Sequence, residues 1–129
     1  MRDYQRQKGN KYILPRTLYH QTLWQIRDYY RLKEMAESIM EESPPPPDGQ
    51  PRGSGVSDQV ANKASRREHA LNIIGIIDKE KELIPEEYRK GVWDNVLYGT
   101  SYPRTADRST YGRYKSRFVY NIAKNLYLL

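Results

Sequence analysis

The sequence predicts an all-α protein, and three observations support this fold class. No segment shows the sustained alternation of apolar and polar residues that is typical of a β-strand. Apolar residues instead recur at helical spacing in four segments, and proline and glycine cluster near the ends of these segments. The 129 residues suffice for one domain with a modest core. We expect a long N-terminal helix, a Pro/Gly-rich linker and a C-terminal helical bundle with an end that is similar to a helix-turn-helix.

The first predicted element is a basic arm over residues 1–16 that leads into a long amphipathic helix. Pro15 suits the first turn of this helix, and neither glycine nor proline follows before Glu42. The apolar stripe of the helix consists of Leu18, Thr22, Tyr29, Leu32, Ala36 and Ile39. Such a stripe needs cover from the chain itself or from another copy. Residues 1–42 are therefore expected to form a basic arm and one long helix, which pairs with another part of the chain in a helical hairpin or with a second copy in a homodimer.

A linker is predicted over residues 43–57. Four prolines, Pro44 to Pro47, precede a segment that contains Gly49, Gly53 and Gly55. Prolines end a helix, and a glycine-rich segment does not start another one. The pair Gly53 and Gly55 lacks the preceding strand and the lysine of a phosphate-binding loop. The remaining residues, 58–129, are expected to form a helical domain.

Two further helices are predicted before residue 100. Ser57 is a suitable N-cap for the second helix, which continues to a break at Pro85. The third helix begins with Glu86 and Glu87, whose charge favours a helix N-terminus. Gly99 follows it and suits a left-handed cap.

The fourth predicted helix begins between Thr105 and Ser109 and carries most of the positive charge near the C-terminal end. Its core side is predicted to contain Tyr111, Phe118, Ile122 and Leu126. The other sides of this helix are basic. They carry Arg113, Lys115, Arg117 and Lys124 together with Tyr120.

Charge is unevenly distributed along the chain, whose formal net charge is +6. Residues 1–16 carry a net charge of +4, residues 17–99 carry −3 and residues 100–129 carry +5. Two basic ends around an acidic middle favour a protein that binds a polyanion. The alternative is a basic tail whose charge only keeps the protein in solution.

Composition argues against an enzyme, and we expect no catalytic residues, cofactor or metal. The chain has no cysteine, which excludes disulfides and thiol nucleophiles, and its two histidines, His20 and His69, lie on separate predicted helices. Its longest apolar runs are shorter than the roughly 18 residues of a membrane span. The N-terminal residues lack the apolar stretch of a signal peptide. A cytoplasmic protein without membrane contact is therefore expected.

The third helix, a turn and the fourth helix follow the order of a helix-turn-helix. In that motif the second helix enters the major groove of DNA, and its N-terminal residues meet base edges. Arginine can form two parallel hydrogen bonds to guanine, and hydroxyl groups bind phosphates or bases. Periodicity favours a solvated basic face almost equally.

Short motifs add a resemblance to a known family. They are Ser57-Asp58-Gln59-Val60-Ala61 after the glycine-rich linker, Ile84-Pro85-Glu86-Glu87-Tyr88-Arg89-Lys90, Arg108-Ser109-Thr110-Tyr111-Gly112-Arg113-Tyr114-Lys115 and Ile122-Ala123-Lys124-Asn125-Leu126. With these motifs the chain resembles the phage late-gene transcriptional activators of the RinA and ArpU type. In that family the Ser-Thr-Tyr segment starts the recognition helix of a module similar to the C-terminal region of sigma factors.

The resemblance implies that the fourth helix contacts double-stranded DNA. The implied DNA-contacting residues are Ser109, Thr110, Tyr111, Arg113 and Arg117, and the predicted set is completed by Arg108, Lys115 and Lys124. The family usually places a short extra helix before this segment, whereas about ten residues separate Tyr98 from Ser109 here. Either the third helix replaces the extra one or the module is degenerate.

The expected function is that of a phage or prophage transcription regulator. It would bind DNA through the fourth helix and contact RNA polymerase through the first. Within the fourth helix, Arg113 is expected to read bases, and Arg117 and Lys124 are expected to bind phosphates. One alternative is an interaction adaptor in which the first helix and the tyrosines form an oligomeric or partner interface. Another is an oligomerising phage protein similar to a terminase small subunit.

Overall fold

A computed structural model of the chain describes residue 5, residues 9–42 and residues 54–127, with side chains between 39 and 60 excepted. These residues contain α-helices and no β-strand, which confirms the all-α prediction. The helices are α1 (Arg16–Arg27), α2 (Tyr29–Glu42), α3 (Ser54–Glu82), α4 (Glu86–Tyr98) and α5 (Arg108–Tyr127). In this part of the chain no helix is long and apolar enough to cross a membrane.

The long first helix of the prediction is two helices, α1 and α2, separated at Asp28. The backbone there has φ −84° and ψ 0°, close to a tight helical turn. The Asp28 N–H points to the carbonyl oxygens of Trp24 and Gln25, at 3.1 and 3.2 Å. Because this turn needs no glycine or proline and hardly disturbs the helical spacing, the sequence pattern could not reveal the break.

The chain divides into two compact units, and the division falls at the break between α1 and α2. Unit 1 consists of residues 1–28 and 76–129, and unit 2 consists of residues 29–75. This division differs from the predicted one, which grouped all of residues 1–42 apart from residues 58–129. The predicted linker lies mostly outside the described residues, but residues 54–57 belong to α3, which begins before the predicted N-cap Ser57.

Helix α1 is part of the core of unit 1, where it packs against α4 and α5. Leu23 and Ile26 are fully buried on its inner face, and Tyr19 is nearly so. The buried hydroxyl of Thr22 donates a hydrogen bond of 2.8 Å to the Leu18 carbonyl, which satisfies it within the helix. The apolar stripe of α1 is thus covered inside its own unit.

Helices α4 and α5 supply most of the rest of this core, to which Leu14, Ile77 and Ile84 also belong. Val92, Val96 and Ile122 are fully buried, and the ring of Trp93 meets that of Phe118 edge-on at 6.4 Å. Helix α4 begins after Pro85 and ends at Gly99, whose φ of +71° gives the predicted left-handed cap.

Unit 2 contains α2 and most of α3. Among its described side chains, the buried ones are those of Tyr29, Leu32 and Ala36 on α2 and Ala70, Ile73 and Ile74 on α3. Unit 2 carries six basic and seven acidic residues in sequence, whereas unit 1 carries 16 basic and nine acidic ones. The excess positive charge therefore belongs to unit 1.

Candidate nucleic-acid interface

The connection between α4 and α5 is longer than the turn of a helix-turn-helix. It runs from residue 99 to residue 107, whereas the motif has a turn of about three or four residues. Within it, the side-chain amide of Asn95 donates to the Thr100 carbonyl at 2.9 Å, and the ring of Tyr102 stacks on Tyr111 at 5.0 Å. The loop is held against both helices, but α4 and α5 do not form the compact motif that the sequence suggested.

Helix α5 begins at Arg108, inside the predicted window. The Asp107 carbonyl accepts the first hydrogen bonds of the helix, from the N–H groups of Thr110 and Tyr111. Arg108, Ser109 and Arg113 are exposed in the first turns, and Thr110 is half-buried. These turns present the exposed arginines that the prediction required at the start of a recognition helix.

Tyr111 lies in the core and not on the DNA-facing surface that the resemblance implied. Its side chain is 1% exposed, and its hydroxyl shares a hydrogen bond of 2.9 Å with that of Thr105. The ring of Tyr88 meets it edge-on at 5.3 Å, while Tyr102 covers it by stacking. A side chain enclosed in this way cannot contact DNA, and its role is to anchor the start of α5.

The remaining predicted residues of α5 are divided between packing and solvent. Arg117 is half-buried, donates to the Leu83 carbonyl at 3.0 Å and lies 5.4 Å from the Tyr114 ring centre. It therefore joins α5 to the turn before α4. Lys115 is half-buried, and Lys124 is exposed about 16 Å along the helix axis from Arg113.

Two described residues of the N-terminal arm, Asn10 and Tyr12, contact α5, an arrangement that the sequence analysis missed. The side chain of Gln5 pairs with the backbone of Leu14 through two hydrogen bonds, of 2.7 and 2.8 Å. Farther along, the amide of Asn10 donates to the Ser116 hydroxyl at 3.4 Å. The Tyr12 ring lies 5.5 Å from that of Tyr120 on α5. No periodicity signals the last two contacts, since each joins residues more than a hundred positions apart.

This packing places Lys11, one of the described basic residues of the N-terminal segment, close to a residue that contacts α5. The ammonium group of Lys11 lies 5.3 Å from the ring centre of Tyr12, which itself contacts α5. Arg104, Arg108 and Arg113 are exposed around the start of the same helix. Exposed basic side chains thus lie around the start of α5, and the aromatic neighbour of Lys11 contacts the same helix.

An open groove of about 930 Å³ lies beside the start of α5, entirely within unit 1. Its basic lining residues are Arg104, Arg108 and Lys115, and Asp107 is the acidic one. Tyr12 and Tyr102 also contribute to its walls. Sequence analysis did not single out Arg104, which lies in the connecting loop; its position in the basic segment after residue 100 was the available signal.

The described residues hold no group of three or more histidine, cysteine, aspartate or glutamate side chains that could bind a metal ion. Comparison of the chain with family models, curated proteins and solved structures finds no match.

Proposed function

We propose that the protein binds double-stranded DNA with the exposed start of α5 and the basic surface around it. The observation that carries this proposal is the group of exposed arginines, Arg104, Arg108 and Arg113, around the start of α5. Neutralisation of DNA phosphates by lysine and arginine releases counterions and supplies much of the binding free energy. Unit 1, which contains this surface, carries a net charge of +7, whereas unit 2 carries −1.

Roles within this surface follow from exposure. Arg113 and Ser109 are both exposed and one helical turn apart, so they are the candidates for contacts with base edges. Arg108 is exposed at the start of α5, and Arg104 is exposed in the loop before it. Both positions suit contacts with DNA phosphates. We no longer assign Arg117 to a phosphate, because its guanidinium holds the Leu83 carbonyl.

The biological role that we propose is regulation of transcription in a phage or prophage. This part of the proposal rests on the resemblance of the Ser-Thr-Tyr segment to late-gene activators. Contact with RNA polymerase would use the outer face of α1, since its inner face is buried within unit 1. Trp24 is 66% exposed on that outer face.

A second candidate is an interaction adaptor, and exposed aromatic residues favour it. Trp24 on α1 and Tyr98 on α4 are 66% and 64% exposed, on two helices that pack together. Between these helices, Arg27 donates to the Val96 carbonyl at 2.9 Å and lies 5.5 Å from the Trp24 ring centre. Exposed tryptophan and tyrosine are typical of protein interfaces.

Fluorescence anisotropy with labelled duplex DNA across a salt series separates the two candidates. A DNA-binding protein loses affinity linearly on a plot of log affinity against log salt, with a slope that counts neutralised phosphates. Arg113→Ala is expected to cost about 1–3 kcal/mol on a specific site. Lys90→Ala is the matched control, because Lys90 is an exposed lysine on α4 that pairs with Asp94. Absence of salt-dependent binding by the parent protein would favour the adaptor.

A further inference from the structure

The groove beside α5 is lined by basic and aromatic side chains that a DNA contact through Arg113 does not involve. Arg104, Arg108 and Lys115 line it, whereas Arg113 does not. Arg113 therefore lies at the edge of the groove, since Ser109, one helical turn before it, belongs to the lining. A duplex that meets Arg113 brings its strands close to the opening of the groove.

Size and charge restrict what the groove can bind. Its volume of about 930 Å³ falls in the range of about 300–1,000 Å³ that is typical of small-molecule sites. The lining contains three basic side chains and one acidic side chain, that of Asp107. The first N–H groups of α5 add partial positive charge. This balance favours a ligand with a phosphate group.

Aromatic side chains supply a second type of contact. Tyr12 and Tyr102 are half-buried and line the groove. Packing orients both rings, because Tyr102 stacks on Tyr111 with an angle of 9° between planes and Tyr12 contacts Tyr120. Nucleic-acid bases stack on tyrosine rings with little dependence on sequence, and basic grooves with such rings bind unpaired strands.

We propose that this groove binds an unpaired nucleotide, with its phosphate at Arg104, Arg108 and Lys115 and its base against Tyr12 or Tyr102. The inference rests on the proposed DNA-binding function and extends it. The preferred substrate is then duplex DNA with a single-stranded end, in which the paired part contacts Arg113 and the unpaired part enters the groove.

The test compares three labelled DNAs by anisotropy at one salt concentration. They are a blunt duplex, the same duplex with a single-stranded thymidine tail, and the duplex with a tail that keeps its phosphates but lacks bases. We expect the thymidine tail to tighten binding about fivefold to tenfold over the blunt duplex, and the abasic tail to gain less than half of that. Equal binding of blunt and tailed duplexes would overturn the groove proposal while leaving the proposed function intact. Failure to bind any of the three would overturn both.

Two variants and two competitors locate the effect. Arg104→Ala removes a groove charge, and Gly112→Leu fills part of the groove without changing charge; both are expected to reduce the advantage of the tail to about twofold or less. Lys90→Ala is expected to keep the full advantage, and circular dichroism checks that each variant is folded.

Competition by polyglutamate as effective as that by oligothymidine would indicate a general anion site and overturn the proposal. Competition by free thymidine monophosphate at equal concentration would assign the groove to a free nucleotide and overturn the strand-end assignment.

Discussion

The ring of Tyr111 on α5 occupies the space that Gly91 on α4 leaves open. A Cβ atom at Gly91 would lie 2.7 Å from Cε1 of Tyr111 and 2.9 Å from Cδ of Pro103. Such distances are too short for a carbon contact, so the two helices and the connecting loop meet here only because residue 91 has no side chain. The start of α5, with its exposed arginines, depends on this close packing.

Gly91→Ala is accordingly expected to destabilise the protein. Overpacking costs about 1–3 kcal/mol, which outweighs the gain of up to about 1 kcal/mol when alanine replaces glycine in a helix. The matched control is Gly75→Ala in α3, where a Cβ meets no atom within 4 Å and stability should rise. Urea unfolding of both variants measures the difference. A Gly91→Ala variant as stable as Gly75→Ala would contradict the observed approach of α4 and α5.

Arg113 and Arg117 are predicted to have opposite roles although one helical turn separates them. Arg117→Ala should lower the free energy of unfolding by about 0.5–1.5 kcal/mol, because the hydrogen bond to Leu83 is lost. Arg113→Ala should change stability by no more than about 0.5 kcal/mol, since Arg113 is exposed. For DNA affinity we expect the reverse: Arg113→Ala should weaken binding more than Arg117→Ala does. Unfolding curves and DNA-binding anisotropy measure the two properties on both variants. A single variant that lost both stability and DNA affinity to the predicted extents would refute this assignment.

Helix α1 is predicted to act as core and not as a dimer interface. Ile26→Ala should cost about 2–5 kcal/mol, because Ile26 is fully buried, whereas Trp24→Ala should cost no more than about 0.5 kcal/mol. Thermal unfolding of the parent should be independent of protein concentration, as expected for a monomer. Light scattering measures the mass of the parent protein and of Ile26→Ala. A dimer mass for the parent and a folded monomer for Ile26→Ala would show that α1 is a dimer interface.

Tyr88 gives the protein a predicted dependence on alkaline pH. The negative charge of Glu87 raises the pKa of the Tyr88 phenol above its ordinary 10.0, and burial and two neighbouring tyrosines act in the same direction. The folded state therefore holds this proton more tightly than the unfolded state. The resulting stability is fully present below pH 10.0 and is lost as the pH rises through the raised pKa.

Glu87→Gln is expected to move this pKa back towards 10.0. A titration of labelled tyrosine followed by nuclear magnetic resonance measures it, with the Tyr88→Phe variant identifying the resonance. An unchanged Tyr88 titration in Glu87→Gln would exclude the carboxylate as the main cause.

Local signals in the sequence predicted both ends of α4 and the start of α5, but not the start of α3, which contains Gly55 of the predicted linker. Pro85 and Gly99 bracket α4 as expected, and α5 starts inside its predicted window. The break at Asp28 escaped prediction because its tight turn preserves the helical spacing. Of the candidate site, exposure at Arg108, Ser109 and Arg113 agrees with the pattern, whereas burial of Tyr111 does not agree with its implied role.

By itself, the sequence determined the all-helical class, the approximate ends of α4, the start of α5 and the two basic segments. These properties depend on capping, backbone preferences and spacing within a few residues, or on counting charges. Tertiary structure decided that Tyr111 is enclosed, that Arg117 holds the Leu83 carbonyl and that Asn10 reaches Ser116. The last contact joins residues 106 positions apart. Its formation depends on how α1, α4 and α5 pack together, which no local pattern encodes.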